Sequence, residues 1–95
     1  MGKSIITEDM EHCLLCGSTN NIEKHHVFFG TADRKISDKY GLVVPLCAFH
    51  HRGNFGVHGD RTLDLMLKEM CQTIYETKVG SREDFMKLFG RNYLD

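Results

Sequence analysis

No run of this chain approaches the roughly 18 consecutive apolar residues that a membrane-spanning helix needs. Its opening nine residues, Met1 to Asp9, lack the apolar core of a signal peptide, which predicts a cytoplasmic chain. Proline is nearly absent, with one residue in 95, and 41% of positions are hydrophobic. That balance excludes a disordered linker and fits a globular domain. Internal repeats and low-complexity tracts are lacking too. Charge of one sign is not in excess: the formal net charge is −1, which argues against a broad basic surface for nucleic acid. A local basic patch remains open, because Arg34, Lys35 and Lys39 cluster and Arg52 stands further on. Their alternative reading is ordinary solvated charge.

The chain does have metal-type side chains. Cys13 and Cys16 come first, then His25-His26, then Cys47-Ala48-Phe49-His50-His51, then His58. A single domain of 95 residues buries only about two-thirds of its unfolded surface, so a metal staple would help it fold. In a reducing compartment paired cysteines bind metal more often than they form disulfides.

Cys13-x2-Cys16 and Cys47-x2-His50 are two short-spaced pairs, the usual way to deliver four ligands to structural zinc. We expect them to hold one zinc ion, with His12 as a competing ligand. His25, His51 and His58 are left for a second, open metal site, and His26 for a base. A neutral imidazole can do either job near pH 7.

Around these residues the pattern predicts a zinc knuckle over 12–18, with Gly17 making the turn. Strands are expected at 26–29 and 42–46, and pairing them would bring the two ligand pairs together. Residues 30–41 read as a loop or short helical turn, and 1–11 as a fraying end. A short helix should run from Cys47 to Gly53. Helices are expected over about 60–78, with Asp60 as cap, and about 82–90, capped by Ser81. Leu63, Met66, Leu67, Met70 and Ile74 would form the buried face of the longer one. Cys71 within it reads as a small buried hydrophobe.

Glu23-Lys24-His25-His26-Val27, Val44-Pro45-Leu46-Cys47-Ala48-Phe49-His50 and His51 together resemble the HNH endonucleases. The likeness covers residues 13 to about 60. Gly56-Val57-His58 brings it nearest to small bacteriophage-type members and RecA-dependent recombination-enhancement nucleases. It implies an α+β fold: a zinc-stapled ββα-metal finger over about 25–59 with two C-terminal helices. It further implies His26 as general base and His25, His51 and His58 as ligands of a catalytic Mg²⁺, Mn²⁺, Ni²⁺ or Zn²⁺. DNA would be the substrate, met through Arg34, Lys35, Lys39, Arg52 and Asn54, in a bacterial host cell and with a recombinase filament as a conceivable partner. Two positions depart from the family pattern. Leu42 stands where the middle asparagine orients the base. Phe55 stands where the last histidine falls, with His58 as substitute.

Two functions follow from the sequence: a metal-dependent DNA endonuclease, or a non-catalytic zinc module that binds nucleic acid or a recombination protein.

Overall fold

A computed structural model describes residues 3–53 and 56–94. Its element order is β1 (Ile22–His26), α1 (Thr31–Tyr40), β2 (Val43–Cys47), α2 (Ala48–Arg52), α3 (Arg61–Lys78) and α4 (Arg82–Phe89). The fold is α+β, with a two-stranded antiparallel sheet among helices. No described helix is long and apolar enough to cross a membrane.

The first strand lies four residues earlier than the expected 26–29. Its register pairs Ile22 with Cys47 and His26 with Val43. The apolar run after His26 has another use. Val27 and Phe28 are buried, and the Phe28 ring packs against Phe85, Phe89 and Tyr93 at centroid distances of 5.2, 4.5 and 5.4 Å. Val27 N–H still donates to Leu42 O at 3.1 Å; beyond it the run leaves the sheet, and Phe28 pins α4 to its end. Such burial of aromatic rings outweighs what strand pairing would add there.

Residues 31–40 form a helix of about three turns, longer than the loop or short helical turn expected there. Its less exposed positions are Asp33, Ile36, Ser37 and Tyr40, spaced as one helical face. Only two of those four are apolar, so hydrophobic periodicity could not reveal it. The buried Ser37 hydroxyl instead donates to the Phe28 carbonyl at 2.7 Å. Gly41 ends the helix in the left-handed region at φ 71°, where glycine carries no Cβ penalty.

The N-terminal segment is docked rather than frayed. Ile5 N–H donates to Gly41 O at 2.9 Å, and the Ser4 hydroxyl donates to Val43 O. Ile5 and Ile6 pack on the core.

The α3 helix starts where expected, with the Asp60 side chain accepting from Leu63 N–H. Its buried face is rotated from the expected one and comprises Asp64, Leu67, Lys68, Cys71, Gln72 and Tyr75, while Met66 is half exposed. Three of these six are polar, and burying them is tolerable because they are partnered. Lys68 donates to Asp64, while Gln72 donates to Glu76 and Asn92 and accepts from Tyr93 N–H. The last pair of bonds ties the C-terminal segment onto α3. Cys71 is fully buried, and burial pushes its thiol up to about 12, so it is inert. Ser81 and Asp84 close a capping box at the start of α4.

Candidate metal centres

The knuckle and the β2–α2 junction build the first centre. Cys13 N–H donates to Ser18 O, Gly17 N–H to Cys13 O, and Leu14 N–H to Pro45 O, each at 2.8 Å. Pro45 has no N–H of its own, but its carbonyl ties the knuckle to β2. Gly17 takes φ 78° in the turn. Cys47 ends β2 and is the N-cap of α2, so the helix's first turn carries His50 back toward it.

Cys13, Cys16, Cys47 and His50 converge, with one ligand atom from each within 4.8 Å of the others. Cys16 Sγ and Cys47 Sγ are 3.8 Å apart; His50 Nδ1 lies 3.8 Å from Cys13 Sγ and 3.3 Å from Cys47 Sγ. Sulfurs about 2.3 Å and a nitrogen about 2.0 Å from one zinc, in a tetrahedron, would stand roughly 3.5–3.8 Å apart. The separations fit a tetrahedral ion to a few tenths of an ångström and rule out a disulfide at its usual ~2.05 Å. Burial raises the Cys13 thiol, but backbone hydrogen bonds at Cys47, Cys16 and Leu15 outweigh that and bring it to about 6. A thiol so poised loses its proton readily to a metal. His12 stands outside, its Nδ1 paired with Asp9 at 2.7 Å.

The second centre gathers His25 from β1, His51 from α2 and His58 from the loop before α3. Their ring centroids are 4.9 to 5.1 Å apart, and ligand nitrogens lie within 4.8 Å. Val57 N–H donates to His50 O at 2.8 Å, which docks the loop on α2 and delivers the next residue, His58. That approach needs Gly56, where a Cβ would collide with the same His50 carbonyl.

His25 is 1% exposed, and its Nε2 is buried without a hydrogen-bond partner among the described residues. An orphaned imidazole nitrogen costs about 1–3 kcal/mol of lost hydration, a cost that a metal bond removes. Burial first, then the neighbouring His51, His58 and Lys68, hold its proton affinity down to about 3. Burial and His51 lower His58 also. Both rings are therefore neutral and able to ligate near pH 7.

The strand's alternation sorts the flanking side chains into two sets. Glu23 shares a face with His25, and its Oε1 meets His51 Nδ1 at 2.7 Å. This leaves His51 Nε2 as the nitrogen for a metal, in the carboxylate–histidine arrangement that orients metal ligands. The His51 hydrogen bond, and then Arg52, keep the Glu23 carboxyl below its ordinary range. On the other face Lys24 and His26 both meet Asp38 Oδ1, at 2.9 and 3.0 Å. His26 is the last residue of β1, so it also lines the same open depression of about 240 Å³ as His25, His51 and His58. Lys24, Phe29 and Arg34 complete its wall.

The residues expected to meet nucleic acid divide. Arg34 lines the histidine depression, and Lys35 lines an adjoining one with Arg34. Lys39 lies over the Tyr40 ring at 5.5 Å and lines neither. Arg52 is held by both oxygens of Glu23. Asn54 lies outside the described residues.

Glu23 and Asp38 were missed from sequence. Glu23 had no usable signal while the strand was expected to begin at His26; once β1 is known to run from Ile22 to His26, its place two residues before His25 puts both on one face. Asp38 had none until residues 31–40 were known to be helical.

Comparison with protein-family models, with curated proteins and with solved structures returns no match. The resemblance to HNH nucleases rests on the sequence motifs alone.

Proposed function

We propose that this chain is a metal-dependent HNH-type endonuclease that hydrolyses DNA phosphodiester bonds. In this reading β1, β2 and α2 are its ββα-metal finger, stapled by structural zinc at Cys13, Cys16, Cys47 and His50. One observation carries it: an orphaned, buried His25 nitrogen faces two more histidines, and the depression they line also holds His26, tethered to a carboxylate. A purely structural finger needs none of these four.

His25, His51 and His58 would hold the divalent cation, with Glu23 fixing His51. Imidazole ligation suits a transition metal better than Mg²⁺. A divalent ion held there would supply charge stabilisation for the phosphate and the departing 3′-oxygen. His26 takes the proton from the attacking water. When Asp38 accepts the Nε2–H, the free lone pair is on Nδ1, and the carboxylate stabilises the imidazolium that forms. Asp38 thereby does what the missing asparagine would do. Leu42, fully buried in the core, has no part in it. Arg34, which lines the depression, would hold a phosphate of the strand, a contact that positions without reading sequence.

A plasmid-nicking assay with Mg²⁺, Mn²⁺ or Ni²⁺, run beside EDTA, tests this. Wild type should nick with metal, and His26→Ala should lose about 10²- to 10⁴-fold in rate while keeping its zinc. A repeat on recombinase-coated single-stranded DNA covers dependence on a filament. No metal-stimulated cleavage on either substrate, with wild type and His26→Ala alike in binding, would leave the non-catalytic zinc module as the function.

A further inference from the structure

Phe29 is 43% exposed at the edge of the histidine depression. Its ring centroid lies 5.1 Å from that of His58 and 6.1 Å from that of His25. The same ring lines three adjoining depressions, so it is the shared wall of four. The Lys68 ammonium sits over the ring, 4.0 Å from its centroid, and Lys68 is itself buried and paired with Asp64. The ring is thus supported from within the core and open toward the site. Cations flank it. Arg34 lines two of the four depressions, Arg61 the other two, and Arg91 one of those. Carboxylates limit the positive charge: Asp38 lines one of the Arg34 depressions, and Asp33 and the Lys68-paired Asp64 line those of Arg61 and Arg91.

We propose that Phe29 is a stacking platform for one nucleobase next to the cleaved phosphodiester, so that the preferred substrate has an unpaired base at that position. The proposal takes the nuclease reading above for the adjacent site. Inside a continuous duplex both faces of each base are covered by its neighbours. A protein ring can stack only where the base has left that stack, as in a single strand, a flap or a bulge. Such stacking tolerates any base, which suits a phenyl ring, since it carries no hydrogen-bonding group of its own. The flanking arginines track the strand's phosphates on either side of the base.

Two measurements test this, each with zinc content as a control for folding. The first is the ratio of cleavage rates on a flap or single strand to those on a continuous duplex. It should favour the unpaired substrate, fall about tenfold or more in Phe29→Ala and Phe29→Leu, and be retained in Phe29→Trp. Phe29→Leu keeps apolar packing against the histidines, so equal ratios in wild type and the Phe29→Leu chain would mean a packing role only and overturn the proposal. The second measures binding alone. A single-stranded oligonucleotide carrying 2-aminopurine is added to the His26→Ala chain, and its fluorescence should be quenched less when that chain also carries Phe29→Leu. Quenching that depends on Phe29 without any cleavage by wild type would retain the platform and remove the nuclease reading. Cleavage with no dependence on Phe29 in either measurement would do the reverse.

Discussion

His50 and His51 are consecutive, yet they serve different clusters. His50 Nδ1 lies 3.3 Å from Cys47 Sγ, while His51 Nδ1 meets Glu23 Oε1 at 2.7 Å. Adjacent positions on a helix are about 100° apart around its axis, so one turn can face two sites. A metal ion held by the Cys13, Cys16, Cys47 and His50 cluster would therefore fix the helix that carries His51. Order in one centre depends on order in the other.

Glu23→Gln removes the charge that orients His51 and leaves His25 and His58 in place. Losing such a partner typically costs about 10- to 100-fold in metal affinity. We expect that loss for Co²⁺ at the three-histidine centre, followed by its absorption spectrum, with the tightly held zinc still present. Unchanged affinity would mean that Glu23 only pairs with Arg52.

The helices of the C-terminal half were legible in the sequence because caps announce them. Asp60 and Ser81 stand at their starts, and both accept the expected backbone N–H. The ligand pairs were legible by spacing alone. The α1 helix was not, because its packed face includes Asp33 and Ser37, and no hydrophobic period shows through. Asp38 was hidden with it. The strand at 22–26 was hidden because Val27 and Phe28 look more strand-like than Glu23 and Lys24, yet both are buried in the core and the Phe28 ring packs against α4 and Tyr93. The rotated face of α3 has the same cause: Asp64, Lys68 and Gln72 are buried because they satisfy one another or the C-terminal segment, which no single-residue preference records.

Lys68→Met should be costly. The side chains of Lys68 and Asp64 are 8% and 10% exposed, so removing the ammonium strands a buried carboxylate. Breaking such a pair costs about 3–5 kcal/mol, whereas replacing both members by apolar residues is often neutral. Thermal unfolding should fall by more than about 10 °C in Lys68→Met and recover most of that in Asp64→Leu/Lys68→Met. Equal midpoints for wild type and Lys68→Met would show that water reaches the pair.

Acid should destabilise the fold through His25. Its ordinary value of 6.5 falls to about 3 in the folded chain. The unfolded state then binds the proton first, so the stability is complete above about pH 6.5 and drains away as pH falls toward about 3. Between pH 7 and 5.5 the loss is about 1 kcal/mol, or roughly 5 °C in midpoint. Subtracting the profile of His25→Phe isolates this part from the acid sensitivity of the zinc cluster. Parallel profiles for the two chains would contradict it.

The division of these residues into two metal centres is tested most directly by anomalous scattering from crystals of the zinc-loaded protein soaked with Mn²⁺. Zinc should appear once among Cys13, Cys16, Cys47 and His50, and manganese once among His25, His51 and His58. A single peak, or a second peak bounded by other residues, would contradict the division.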